Sequence, residues 1–187
     1  MPLIILDRDG VINKDSDDFI KSPQEFIPLT GSLEAIARLN AAGYFVTIAT
    51  NQSGVARGLF DLQTLNAMHH KLEKQLATVG GHLDGIFYCP HAPDAGCDCR
   101  KPKPGLLRQI GRKFSTELSR VPVIGDSLRD LQSAQAVGAM PILVRTGKGE
   151  RSLVQLTEEP GLVNVPVFAD LAAAVDALLT GKLAKNK

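Results

Sequence analysis

Residues Leu3 to Asn13 read LIILDRDGVIN, with four consecutive aliphatic residues placed directly before two acids spaced i, i+2, Asp7 and Asp9. A short, wholly aliphatic run is the pattern of a strand buried on both faces. Acids two apart in extended chain face the same side. Two carboxylates held that close do not both stay ionised without a counter-charge. The stretch therefore predicts a buried strand whose carboxyl end carries an ion-binding site.

Outward from it, similar runs recur at Phe45 to Ala49, Ile86 to Cys89, Val121 to Ile124, Ile142 to Val144 and Val165 to Phe168. Amphipathic stretches at about 31–42, 61–79, 104–116, 127–138, 150–158 and 169–180 separate them and read as helices. Strand and helix in alternation imply right-handed crossovers and a doubly wound parallel α/β sheet of Rossmann-like type. A chain of 187 residues is expected to form one domain, here residues 1–181, leaving 182–187 as a solvated tail. A net charge of +1 does not favour nucleic acid or an anionic membrane as partner, and no apolar run is long enough to span a bilayer. A cytoplasmic monomer is expected. Three cysteines, an odd number, argue against a closed disulfide framework.

Open parallel sheets bind ligands beyond the carboxyl ends of their strands. Asp7 and Asp9 lie at one such end, Thr50 to Gly54 (TNQSG) at a second, and Gly125 to Asp130 (GDSLRD) at a third, while Cys99 to Gly105 (CRKPKPG) directly precedes a helix. Either Asp126 or Asp130 alone could be a helix cap. Together the clusters suit a hard divalent cation, with Asp7, the Asp9 carbonyl and Asp126 as ligands and Asp130 acting directly or through water. Mg²⁺ bound by few carboxylates implies a phosphorylated substrate. One carboxylate can then attack phosphorus while the second moves protons. A lysine would neutralise the phosphoryl oxygens.

The four motifs, in this order, resemble the haloacid dehalogenase superfamily of aspartate-nucleophile phosphotransferases. The resemblance implies Asp7 as nucleophile, Asp9 as general acid and base, Thr50 as phosphoryl hydrogen-bond donor and Asp126 as metal ligand. Lys101 and Lys103 both offer the lysine, and Lys101 is favoured. Asn51, Gln52, Ser53 and Ser127 belong to the same motifs and are candidates for substrate contact. Spacing leaves no room for an inserted cap domain, so recognition falls to loops at 13–28, 51–60 and 89–103.

The last loop reads CPHAPDAGCDC and holds every cysteine of the chain, Cys89, Cys97 and Cys99, together with His91. Such a set can close a structural tetrahedral zinc site. The plainer reading is a reduced loop with a chance histidine. A redox role lacks the usual CxxC at a strand-to-helix turn. The zinc loop, followed by RKPKPG and combined with NQSGVARG, is similar to the heptose 1,7-bisphosphate 7-phosphatase family of lipopolysaccharide synthesis, and also to histidinol-phosphate phosphatases. Arg57, Arg100 and Lys148 add positive charge that suits a bisphosphate sugar. Asp15 to Asp18 are expected to face the sugar hydroxyls, although KDSDDFI departs from the acid-Gly-Tyr-Val common in that family. His69, His70 and His82 are expected at the surface or at helix ends. A non-catalytic phosphosugar-binding module on the same fold is the rival reading.

Overall fold

Alternation of aliphatic and amphipathic segments becomes a regular strand and helix repeat in the computed structural model, which describes residues 1–159 and 161–185. The elements are β1 (Leu3–Leu6), α1 (Ser32–Ala41), β2 (Phe45–Asn51), α2 (Leu62–Thr78), β3 (Gly85–Cys89), α3 (Gly105–Lys113), β4 (Pro122–Gly125), α4 (Leu128–Gln135), β5 (Met140–Val144), α5 (Gly149–Leu156), β6 (Val167–Phe168) and α6 (Leu171–Leu179). The strands form one six-stranded sheet in the order β3-β2-β1-β4-β5-β6, and every pairing is parallel. The sequence expectation of a doubly wound α/β sheet holds.

Alternation along each strand divides the core. Ile4, Leu6, Val46, Ile48 and Ile124 face α1, α2 and α6, meeting Ile36, Leu39, Leu65, Leu72 and Val175. Leu3, Ile5, Ala49 and Val123 face the other way, onto Leu106, Leu107 and Ile110 of α3 and Ala134 of α4. A smaller cluster of Leu131, Leu143, Leu156 and Leu162 seats α5. With both faces covered, β1 has to be apolar throughout, which accounts for its uninterrupted aliphatic run.

Chain order reverses beside β1, whose neighbours are β2 on one side and β4 on the other. That reversal opens a crevice at the carboxyl ends of β1 and β4, where Asp7 and Asp126 follow their strands. β2 runs two residues past its predicted end because Thr50 and Asn51 still pair with Tyr88 and Cys89 of β3. α2 and α6 are each capped by an aspartate, Asp61 accepting from Thr64 N at 2.7 Å and Asp170 from Ala173 N at 2.8 Å. Lys182–Lys185 form a 3-10 turn, and Leu183 packs on the core. Of the expected tail, Asn186 and Lys187 lie outside the described residues.

Candidate active site

β1 delivers Asp7 to the crevice, and the Asp7 N–H donates to the Ile124 carbonyl at 2.9 Å, tying the strand end to β4. Asp7 Oδ1 accepts from the Arg8 N–H at 2.7 Å and lies 3.0 Å from Lys101 Nζ. Lys101 is buried, donates to the Ala49 carbonyl at 2.7 Å and is ion-paired with Asp130. Asn51 fixes its backbone from both sides, accepting from Lys101 N at 3.0 Å and donating to its carbonyl at 3.1 Å. Of the two lysines offered by the sequence, Lys101 is the one beside Asp7. Lys103 Nζ instead donates to the carbonyl of Cys97, 3.0 Å away in the cysteine loop.

Asp126 Oδ2 accepts from the Lys148 N–H at 2.7 Å. A Cβ on Gly10 or Gly147 would come within 2.0 or 2.1 Å of that oxygen, and both glycines have positive φ, 83° and 58°. Only glycine admits the carboxylate between these two backbones. Asp130 closes a capping box at the start of α4, accepting from Ser127 N at 3.0 Å and Ser127 Oγ at 2.6 Å. Asp7, Asp126 and Asp130 bring carboxylate oxygens within 4.8 Å of one another. Burial, then the charge of Asp130, pushes the Asp7 carboxyl up to about 7. Burial, then the charge of Asp7, pushes Asp126 up to about 8. Lys101 offsets part of this repulsion and is itself held protonated, since Asp130 and Asp7 outweigh the effect of its burial. Three clustered acids with one ammonium among them match the donor set of a hard divalent cation.

Asp9 is caged on the opposite side. Its Oδ1 accepts from Arg8 Nε at 3.1 Å, Arg8 Nη2 at 2.9 Å and Asn13 Nδ2 at 2.8 Å. Its Oδ2 accepts from Arg8 Nη2 at 3.0 Å and Gln52 Nε2 at 2.9 Å, and Gln52 Nε2 also donates to Thr50 Oγ1 at 3.0 Å. Burial alone would raise the Asp9 carboxyl, but Arg8 and the amide donors outweigh it and hold the group below its ordinary value. Arg8 was absent from the residues expected to matter. An arginine between two aspartates just past the aliphatic run looks like a solvated charge, yet it is fully buried, with its guanidinium over the Phe26 ring at 5.6 Å. His69 Nε2 lies 3.3 Å from Arg8 Nη1.

His69 corrects an expectation. It is buried, and burial followed by the charge of Arg8 pushes it down to about 4, so the neutral ring presents an acceptor to the guanidinium. Its position could have been read from α2, where His69 follows Leu65 by four and precedes Leu72 by three on the buried stripe. His70 and His82 are exposed as expected.

A cavity of about 310 Å³ opens over these groups. Asp15, Asn51, Gln52, Ser53, Arg57, Arg100 and Ser127 line it with the catalytic candidates. Asp18 does not: it is exposed, and its carbonyl accepts from Lys21 Nζ at 2.9 Å. Asp17, Phe19 and Ile20 of the same loop take its place. Arg129, also missed from the sequence, joins Arg57 and Arg100 at the mouth. Burial, then the charge of Arg129, pushes Arg100 below its ordinary value. Lys148 is less free than its sequence position suggested, since its Nζ pairs with Asp15 Oδ2 at 3.0 Å across the opening.

The cysteine loop assembles as expected. Cys89, His91, Cys97 and Cys99 place one ligand atom each within a common 4.8 Å. Cys89 Sγ lies 3.6 Å from Cys97 Sγ and 3.5 Å from His91 Nδ1, and His91 Nδ1 lies 3.3 Å from Cys99 Sγ. Zinc-ligand bonds in tetrahedral array give edges of about 3.8 Å between sulfurs and about 3.6 Å from sulfur to nitrogen. The thiols and imidazole therefore stand where zinc needs them. Without an ion, burial and then hydrogen bonding to Cys99 push the Cys89 thiol up to about 12.

Residues 3–128 match the family described as polynucleotide kinase 3 phosphatase, and residues 98–174 match the HAD-hydrolase-like family. A D-glycero-beta-D-manno-heptose-1,7-bisphosphate 7-phosphatase of Bordetella bronchiseptica is 56% identical over 179 residues, spanning 96% of this chain and 98% of that protein. The enzyme of the same description from Pseudomonas aeruginosa is 56% identical over 177 residues, spanning 95% and 97%. The crystal structure of D,D-heptose 1,7-bisphosphate phosphatase from B. bronchiseptica, complexed with magnesium and phosphate, superposes with a TM-score of 0.92 over 97% of this chain and 99% of that one, at 56% identity. The corresponding Burkholderia thailandensis structure gives a TM-score of 0.75 at 45% identity, covering 96% and 99%.

Proposed function

The chain belongs to the haloacid dehalogenase-like phosphatases, within them to the D-glycero-beta-D-manno-heptose-1,7-bisphosphate 7-phosphatases, and we propose that it removes the C7 phosphate of the β-anomer of that sugar in heptose precursor synthesis. One observation carries the chemistry: Asp7, Lys101 and Asp130 form a buried ion chain at the switch point of the sheet, with Asp126 on one side and Asp9 on the other.

Asp7 attacks phosphorus, giving an aspartyl phosphate. Asp9, ionised before substrate binds, takes up the proton that the phosphate monoester brings, donates it to the leaving C7 oxygen and afterwards takes one from the attacking water. Lys101 Nζ and Thr50 Oγ1 stabilise charge on the phosphoryl oxygens. Asp7, the Asp9 carbonyl and Asp126 would hold Mg²⁺, which when bound neutralises the phosphate and the clustered carboxylates. Asp130 acts by holding Lys101 and Ser127. Arg57 and Arg100, with Arg129, meet the anomeric phosphate, and Asp15 with Ser53 meets sugar hydroxyls. A primary phosphate on a flexible arm reaches the recessed Asp7 while the ring stays in the loop-lined mouth, which favours C7 over C1. Cys89, His91, Cys97 and Cys99 would hold a structural zinc that pins Arg100 and Lys101. No described helix is long and apolar enough to cross a membrane.

Phosphate release with Mg²⁺ tests the reading. Substrates are both anomers of heptose 1,7-bisphosphate, histidinol phosphate and a 3′-phosphorylated oligonucleotide. The β-bisphosphate is expected to give the highest kcat/KM, and phosphorus NMR to show the C7 signal disappearing first. Preferential loss of the C1 phosphate, or a preference for either other substrate, would overturn it.

A further inference from the structure

Arg8 is a fully buried guanidinium whose donors all turn inward. Nε and Nη2 are spent on Asp9, and Nη1 meets His69 Nε2. It does not line the substrate cavity, so it acts on the reaction only through another group. A buried arginine serving packing alone would be replaceable by an apolar side chain of its size. What an apolar replacement cannot reproduce is the fork that grips one carboxylate from the side.

The two oxygens of Asp9 are held unequally. Oδ1 receives three donors, from Arg8 Nε, Arg8 Nη2 and Asn13 Nδ2, which more than fills the lone-pair positions of one carboxylate oxygen. Oδ2 receives two, Arg8 Nη2 and the amide of Gln52, and that amide is shared with Thr50 Oγ1 in the cavity wall. We infer that Arg8 is a positioning residue for the proton-transfer group: its fork spans both oxygens and fixes the plane of the carboxylate, and Oδ2, whose other donor is the amide that Gln52 shares with Thr50 Oγ1, carries the proton once that amide turns to Thr50 alone. Resting on the phosphatase reading above, the inference assigns the step to one atom. As the bond from phosphorus to the leaving oxygen breaks, its electron pair stays on that oxygen, which takes the proton from Oδ2. In the second half, Oδ2 takes a proton from water while the water oxygen bonds to phosphorus and the Asp7 oxygen leaves with its electron pair. His69 supports the arrangement by accepting from Nη1, which fixes the plane of the fork.

Arg8→Lys retains the charge and loses the fork. With a primary alkyl phosphate its kcat should fall by about 10- to 100-fold, within the range attributed to general acid help, while KM and the Mg²⁺ dependence stay within about twofold. With 4-nitrophenyl phosphate, whose leaving group needs no proton, a rapid burst of nitrophenolate equal to the enzyme present should remain. The following steady state should be slow, because the phosphoenzyme still needs Oδ2 to activate water. A merely structural role would slow or shrink the burst as well, and that result, or an unchanged kcat on the alkyl phosphate, would overturn the inference. Should Arg8→Lys fail to fold, His69→Ala and His69→Gln take its place. Alanine should reproduce the same pattern and glutamine, an acceptor, should largely restore turnover; equal turnover by both at the wild-type rate would equally overturn it. Loss of the substrate assignment is distinguishable, because wild type would then fail on heptose bisphosphate while the burst comparison still judged Arg8.

Discussion

Asp7 and Asp9 differ by two positions and by almost everything around them. Asp7 faces Lys101 and two other acids, whereas Asp9 is gripped by an arginine and two amides. Asp7→Asn is expected to remove all measurable phosphate release while leaving the melting temperature within a few degrees of wild type, since it lightens a crowded set of like charges; thermal denaturation beside the activity assay checks both halves. The glycines are equally particular. Gly147→Ala would force a methyl into the space of the Asp126 carboxylate at a backbone angle that disfavours it, so Mg²⁺ half-saturation should rise at least about tenfold, corresponding to about 1.4 kcal/mol or more of lost binding. A titration of activity against Mg²⁺ that overlays wild type would show that Asp126 is not held by this pinch.

At the scale of elements, β1 was legible because an aliphatic run with both faces covered has few alternatives; it ends at Leu6, so Asp7 joins Asp126 and Asp130 while Asp9 turns to Arg8, and the two acids were legible as polar residues just past a strand end. The buried partner between them was not. Alternation would turn Arg8 away from the two acids, but the chain has left the strand after Leu6, and Arg8 folds back onto Asp9, over Phe26 and against His69 of α2, which are distant in sequence. For the same reason Asp18 was overestimated. Asp15, Asp17 and Asp18 are alike in sequence, and only the loop's path puts Asp15 against Lys148 across the opening, leaves Asp17 exposed at the rim beside Arg151 and turns Asp18 away. The cysteine loop was readable since its ligands are clustered in sequence and lie close wherever the loop goes. Cys99→Ser should leave a cooperatively melting protein, because the sheet has its own core, yet Arg100 and Lys101 would lose their anchor. Expected results are about one zinc per wild-type chain, little in the variant, raised KM with lowered kcat, and faster amide exchange confined largely to 90–103. Wild-type activity in a zinc-free preparation would contradict this division of labour.

Across the whole molecule, stability and chemistry share β1, the strand with neighbours on both sides nearest the site. Ile4→Ala, at a position with no exposure, should cost about 2–5 kcal/mol, as large-to-small substitutions in packed cores do, and should appear as a lower denaturant midpoint with an unchanged slope. A change below about 1 kcal/mol would mean that the surrounding aliphatic residues close over the gap. The order of the sheet also has a consequence for synthesis on the ribosome. Asp7 emerges ahead of the rest of the site and gains a neighbour once β2 is out, but its other flank stays open until β4, more than a hundred residues later. Asp126 must then wait for Lys148 and Gly147, and the Gly10 carbonyl for Thr146, which donates to it at 2.6 Å. A nascent chain thus carries its nucleophile through most of translation with no means of using it. Ribosome-released chains ending before Thr146 should be inert towards even an activated aryl phosphate, and competence should arrive abruptly as the segment after β5 clears the exit tunnel.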